Sequence, residues 1–332
     1  MRIYTIPRLY CPFTQYLKTY SDEMTIAEHQ IREHTSTWLL RCGLVNTPEE
    51  LNHYEAQQFA RMIAISYPNR GVEDLKIWCD FNTLLFIVDD ILDEEKNTLD
   101  KRQQVISFIT DFITVLENNS SSSIEDSAIF RALSDVWRRM RKRTTYAFQQ
   151  MFIQSIRDMF AGGIWAYDHI ANGRKPQLAE YLENRQFLGA ANFATDSLPF
   201  SAGVYVPANI YKYPPIQQLT IHCRNAICLA NDLFSLGKEK EFNADFNIVS
   251  ILENTRGLTV NEAIKEAAVI HNAVVRDFVR IAKSVLIFDT DTNKMIRKYI
   301  DALCCLMAGN IVWSTENTTR YPHHYGYRTK VY

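Results

Sequence analysis

The chain has 332 residues, 47% of them hydrophobic, and a formal net charge of −2. Near-neutrality gives no general electrostatic pull toward nucleic acid or an anionic membrane surface, so neither is expected as a partner. Eleven glycines and ten prolines are few turn formers for this length, which points to a large core built from helices rather than strands.

The seven cysteines are odd in number, form no CxxC pair and sit mostly in apolar helical patterns, so buried reduced thiols and a reducing compartment are expected. The first residues, Met1 to Pro7, lack the long apolar segment of a signal peptide, and no apolar run reaches membrane-spanning length. A soluble cytoplasmic protein follows, with the sequons at Asn118, Asn119 and Asn317 unused.

Residues 1–20 contain prolines and aromatics without clear periodicity and read as an N-terminal arm packed over the body. Helical patterning begins at Ser21. Thr47-Pro48-Glu49-Glu50 has the form of a capping box with proline at the first helical position, opening a helix that runs to about Tyr67-Pro68. Gly71 to about Glu95 and Leu99 to Glu117 are the next helices, and the low-complexity run Asn118 to Ser123 is a loop between helices. Long helical patterns follow at 125–142, 143–172, 177–194, 215–241, 260–287 and 290–316, and the stretch Thr195 to Phe200, with Pro199, must bend or break the helix before it. With no internal repeat and no useful β alternation, the expectation is an all-α helical bundle, one domain spanning 1–332, with a C-terminal tail at 322–332.

The third of these helices carries the first chemical signal. Leu84 to Glu95 is a bulky apolar run that ends in five carboxylates within seven residues. Trp78, Phe81, Asn82, Leu85, Phe86 and Asp89 share one helical face, and Asp93 continues it. An aromatic wall therefore ends in two carboxylates one turn apart. Two readings fit: a core helix with a solvated acidic end, or a cation site. Negative charge at a helix C-terminus opposes the macrodipole by roughly 0.3–1 kcal/mol per group unless compensated, and a hard divalent cation would compensate it.

A second oxygen-rich set lies in the 215–241 pattern. Asn231, Ser235 and Glu239 are spaced i, i+4, i+8 and project from one face as a carbonyl, a hydroxyl and a carboxylate. Such a set suits Mg2+, whereas zinc would want His or Cys. A solvated polar face would also account for the trio. The turns before it, Cys223 to Cys228, are mostly apolar, so this stripe ends as the first one does. Two helices ending alike are expected to face each other across one cavity. The histidines His29, His34, His323 and His324 are expected to play structural or solvent roles.

Together the two stretches resemble class I terpene synthases of the microbial, single-domain type. Asp89, Asp90 and Asp93, followed by Glu94, are similar to that family's aspartate-rich DDxxD motif, and Asn231, Asp232, Ser235 and Glu239 match its (N/D)DxxSxxxE pattern. Arg185 stands where the family carries a pyrophosphate-sensing arginine, and Gly189 matches its helix-break effector position, although Leu188 replaces the acid often found between them. Gly309-Asn310-Ile311-Val312-Trp313, Arg320-Tyr321 and Lys238 resemble further family elements.

The resemblance implies a Mg2+-dependent enzyme, a carbon–oxygen lyase that ionises a linear prenyl pyrophosphate and cyclises the carbocation with release of pyrophosphate. Asp89, Asp93, Asn231, Ser235 and Glu239 would hold a trinuclear Mg2+ cluster. Arg185, Lys238, Arg320 and Tyr321 would bind the pyrophosphate, and Asp90 would hold a basic side chain. Phe86 and Trp313, ahead of Phe81 and Trp78, would shelter the cation. Farnesyl pyrophosphate is the first choice of substrate, geranylgeranyl pyrophosphate the second and geranyl pyrophosphate the third. The alternatives are a prenyl-chain elongating transferase and a non-catalytic isoprenoid-binding helical protein. A monomer or homodimer is expected.

Overall fold

The computed structural model describes residues 3–13, 15, 22–94, 99–118, 127–241, 246–321 and 323–326, without the side chains of 22, 23, 93, 94, 99–101 and 241. Glu95, most of the low-complexity run, the end of the expected N-terminal arm near residue 20 and the tail beyond 326 lie outside the described residues, as does the Asp93 side chain.

The chain opens with β1 (Thr5–Ile6), continues through α1 (Asp22–Cys42), α2 (Pro48–Ala56), α3 (Phe59–Ser66), α4 (Val72–Glu94), α5 (Leu99–Asn118), α6 (Ala128–Arg141) and α7 (Tyr146–Ala171), and reaches α8 (Leu178–Leu188) and α9 (Ala191–Asp196). Two short turns, α10 (Leu198–Ser201) and α11 (Ala208–Tyr211), lead to α12 (Pro214–Glu241), α13 (Ile248–Arg256), α14 (Val260–Ser284), α15 (Thr290–Val312), a π turn over Trp313–Asn317, and β2 (His324–Tyr325). Among the described residues the architecture is helical apart from β1 and β2. These pair in parallel, with His324 N–H donating to Tyr4 O and Gly326 N–H to Ile6 O, each at 2.9 Å. No helix among the described residues is long and apolar enough to cross a membrane.

Three local outcomes differ from the sequence expectations. The single helix expected from Thr47 to Tyr67 is broken at Gln57-Gln58, where Gln58 takes a left-handed conformation (φ 57°, ψ 41°). The break releases two carbonyls from the helical ladder: Ala56 O accepts from Thr319 N–H at 3.3 Å and from Thr319 Oγ1 at 3.1 Å, and Gln57 O accepts from Trp313 Nε1 at 2.8 Å. The N-terminus of α2 is capped as expected by Thr47, but Glu50 reaches back to Asn46 N–H.

The helix patterned over 177–194 breaks before residue 195, at Gly189-Ala190 and thus at the glycine that the resemblance marks as a helix-break position, with Ala190 left-handed at φ 55°. Arg224 on α12 spans that break, donating to Gln186 on one side and to Thr195 and Asp196 on the other. Helix α13 was not expected. Asn247 caps it by accepting Val249 N–H, an N-cap signal that stands in plain view before Ile248-Val249.

The core is aromatic. Trp78 and Phe81 are completely buried, Trp78 stacked on Phe193 at 4.8 Å and Phe81 edge-on to Phe152 at 5.1 Å. All seven cysteines are free thiols, and six are buried. Of the four histidines singled out, His34 joins the buried Asp80 at 3.0 Å, His29 pairs with Glu33 across one turn and His323 stacks on Phe234 at 4.9 Å.

Candidate active site

The acidic end of α4 meets the C-terminal segment. Arg320 donates to both carboxylate oxygens of Asp90, Nη1 to Oδ2 at 2.9 Å and Nη2 to Oδ1 at 2.7 Å, and also reaches Asp89 Oδ2 at 3.2 Å. Lys238, from the end of α12, donates to Asp90 Oδ1 at 2.9 Å. Burial by itself would raise the Asp90 carboxyl, but its contacts with Arg320 and Lys238 outweigh burial and hold it below the ordinary carboxylate range. Burial acts on Arg320 in the opposite sense, toward losing its proton, and is overcome by Tyr321, Asp90 and Asp89. Asp89 itself is exposed.

The residue after Arg320 reaches the second set. Tyr321 OH accepts from Asn231 Nδ2 at 3.1 Å. Two adjacent residues thus tie the end of α4 to α12. On α12, Ser235 Oγ donates to Glu239 Oε1 at 2.6 Å and lies 2.7 Å from Asn231 O, so the three expected metal-ligating residues line one stripe.

Behind this stripe lies Asp232, fully buried. It accepts from Arg185 Nε at 2.7 Å, from Tyr181 OH at 2.7 Å and from Ile248 N–H at 3.1 Å. Arg185 Nη2 also donates to Asn231 Oδ1 at 3.0 Å, which fixes which face of that amide carries the oxygen. Asn247 donates to Glu239 Oε2 at 2.8 Å and to Asp232 O at 2.7 Å. Asp232 stood in the sequence motif without a role, and Tyr181 and Asn247 carried no sequence signal linking them to the site.

The donor set passes a test for a hard cation. It is all oxygen, and the Glu239 carboxyl is pushed up to about 7, first by burial and then by the neighbouring Asp232 carboxylate. Negative charge at that position is under-compensated by the protein, and a divalent cation is the group that would compensate it. Among the described residues no three His, Cys, Asp or Glu side chains form a metal cage by themselves. The set needs Asn231, Ser235 and oxygens from outside the protein, as a Mg2+ site shared with a phosphate does.

The aromatic candidates separate. Phe86 stacks on Phe59 at 4.5 Å, lies 5.7 Å from Trp313, and has the Arg320 guanidinium 5.0 Å above its ring. Trp313 is buried, edge-on to Tyr321 at 5.7 Å. Both adjoin the charged end, whereas Trp78 and Phe81 belong to the interior packing. Gly189 abuts the guanidinium of Arg185: a Cβ there would collide with Arg185 Nη1 and lie 2.8 Å from Cys228 Sγ. Gln57, which the sequence did not mark, accepts from Arg320 Nη1 at 2.9 Å.

Comparison with known proteins agrees with this geometry. The family model described as terpene synthase family 2, C-terminal metal binding, matches residues 80–277, which contain both candidate ligand stretches. The chain is 28% identical to the (+)-T-muurolol synthase ((2E,6E)-farnesyl diphosphate cyclizing) of Roseiflexus castenholzii over 96% of this chain and 94% of that protein. It is 27% identical to the (+)-eremophilene synthase of Sorangium cellulosum over 86% of this chain and 85% of that protein. A crystal structure of a linalool/nerolidol synthase from Streptomyces clavuligerus shares the fold, with a TM-score of 0.75 at 22% identity over 86% of this chain and 96% of that one. With the family match covering more than half its length, the chain belongs to the metal-binding terpene synthases of family 2.

Proposed function

We propose that the enzyme ionises farnesyl diphosphate in the presence of Mg2+ and cyclises the allylic cation to a sesquiterpene hydrocarbon or alcohol, releasing diphosphate. The observation that carries this reading is the pair Arg320-Tyr321, one residue on Asp89 and Asp90 of α4 and the other on Asn231 of α12, beside the rings of Phe86 and Trp313. The choice of farnesyl diphosphate is supported by the relatives, one of which is named for cyclising it.

Asp89 and Asp93 from α4, with Asn231, Ser235 and Glu239 from α12, would hold the Mg2+ ions. When bound, the cations supply Lewis-acid neutralisation of the charge that develops on the departing diphosphate. Arg320, Lys238, Tyr321 and Arg185 donate hydrogen bonds to its oxygens, Arg320 through the Nε that its protein partners leave open. Asp90 keeps Arg320 and Lys238 at the charged end rather than ligating a cation. Asp232 and Tyr181 fix Arg185, and Asn247 fixes one oxygen of Glu239, leaving the other to Ser235 and the ion. Phe86 and Trp313 offer ring faces to the cation, each worth on the order of 0.5–2 kcal/mol when desolvated, and exclude water from it. The diphosphate held at this end is the base for the last proton.

The test is incubation with Mg2+ and geranyl, farnesyl or geranylgeranyl diphosphate separately, with extracted products read by gas chromatography and mass spectrometry. A sesquiterpene from farnesyl diphosphate, absent when the metal is chelated, is the expected result. No product from any of the three, or only lengthened chains on adding isopentenyl diphosphate, would overturn it.

A further inference from the structure

The break between α2 and α3 is not explained by residue type. Gln57 and Gln58 are neither glycine, proline nor asparagine, and a left-handed non-glycine residue such as Gln58 costs on the order of 1 kcal/mol unless partners impose it. One partner is local, Gln58 Nε2 donating to Glu55 O at 2.9 Å. The others are in the C-terminal segment: Thr319 on Ala56 O, Trp313 on Gln57 O, and Arg320 on the Gln57 side chain. The notch therefore receives residues 313–320, and Gln57, 1% exposed, is the one side chain in it that touches the diphosphate-binding machinery.

The geometry at Arg320 shows what that contact does. Its two terminal nitrogens take Asp90, Nη2 also reaches Asp89 Oδ2, and Nη1 is shared with Gln57 Oε1. The bond to Asp89 is the longest of these and goes to an exposed carboxylate proposed to hold Mg2+, whereas Gln57 is a buried, neutral acceptor. It occupies the remaining hydrogen of Nη1 and holds the guanidinium on its fork without adding negative charge beside an anionic ligand. Arg320 Nε is buried and has no acceptor among the described residues, so it is the N–H this clamp leaves for a ligand oxygen.

We propose that Gln57 is a positioning residue for the diphosphate: through its amide oxygen it locks the Arg320 guanidinium in the orientation that presents Nε to a diphosphate oxygen. Gln57 acts only through Arg320, and it lies outside the segment that the family model matches. The proposal rests on the reading that Arg320 contacts diphosphate.

The experiment measures binding of inorganic pyrophosphate with Mg2+ to the full chain by titration calorimetry, for wild type, Gln57→Met, Arg320→Ala and the double variant. Methionine fills the same space without an acceptor, and the main-chain carbonyl that receives Trp313 is kept. Gln57→Met is expected to weaken binding about tenfold, as loss of a hydrogen bond to a charged group does. Arg320→Ala is expected to weaken it more, and the double variant to match Arg320→Ala alone, because Gln57 has no effect without its partner. Thermal denaturation checks that each variant folds, and Gln57→Ala takes the same place in the cycle if the methionine variant does not. Unchanged binding in Arg320→Ala would defeat the underlying reading. A loss in Arg320→Ala with none in Gln57→Met, or a double variant showing the two losses added, would defeat the role of Gln57.

Discussion

Arg320 closes on Asp90 with both terminal nitrogens, across 230 residues of chain, while Lys238 approaches the same carboxylate from α12. Asp90 is thus committed to two cations of the protein, whereas its neighbour Asp89 is exposed and shares Arg320 Nη2 at 3.2 Å. Asp90→Asn keeps the shape and removes the charge. Each charge-assisted hydrogen bond is worth about 1.5–3 kcal/mol, so kcat/KM is expected to fall on the order of 10–100-fold. Steady-state kinetics on farnesyl diphosphate check this, and an unchanged kcat/KM would show that Asp90 is not what orders the two basic residues.

Asp89→Ala, Asn231→Ala and Glu239→Ala are expected to bring product formation below detection while far-UV circular dichroism stays that of the wild type. Each removes an oxygen from the proposed Mg2+ set, but none of the three side chains belongs to the hydrophobic core, so the fold is expected to survive their loss. Normal turnover in all three would refute the metal assignment.

What the sequence showed and what it hid divide along one physical line. The ligand helices α4 and α12 were legible because helical periodicity puts Asp89 with Phe86 and Asn231 with Ser235 and Glu239, and periodicity is a local property. The break at Gln57-Gln58 was not legible, since its cause is a set of acceptors taken up by residues more than 250 positions away. Helix α13 was missed for a different reason. The Asn247 cap was there to read, but a nine-residue helix gives little periodicity to support it. Periodicity and Pro199 put the break after α8 too far along, and only the resemblance marked Gly189, where it falls and where the missing side chain leaves space for Arg185.

That space is open to test with a single methyl group. Gly189 has φ −92°, which alanine adopts without strain, so only contact opposes Gly189→Ala. The new Cβ would displace either the Arg185 guanidinium, pinned by Asp232 and Asn231, or Cys228 Sγ. Misplacing an arginine proposed to bind diphosphate is expected to lower kcat on the order of 10–100-fold. Wild-type kcat in this variant would show that Arg185 has room to move, and that the glycine serves no purpose at this position.

Phe86 is half-buried between Phe59 and Trp313, with Arg320 above its ring. Truncating a buried phenylalanine costs about 3–5 kcal/mol, and this one, partly exposed, is expected at or below the lower end. Phe86→Ala is expected to change the ratio of products more than it weakens diphosphate binding, because its ring is proposed to shelter the cation. An unchanged product profile by mass spectrometry would return Phe86 to a packing role.

Acid sensitivity should come from a residue remote from the chemistry. His271 on α14 is 1% exposed, and burial lowers its pKa from the ordinary 6.5 to about 4, against a small opposing effect from the Asn272 side chain 3.1 Å away. The neutral ring is favoured in the folded protein and the charged ring in the unfolded one. His271 therefore leaves stability intact above about pH 6.5 and removes it progressively as pH falls toward 4. At about 1.4 kcal/mol per pH unit the full loss is about 3.5 kcal/mol. Urea unfolding at pH 7 and pH 4.5 should show a smaller difference in His271→Asn than in the wild type, because asparagine takes up no proton. Equal differences in the two proteins would place the acid sensitivity elsewhere.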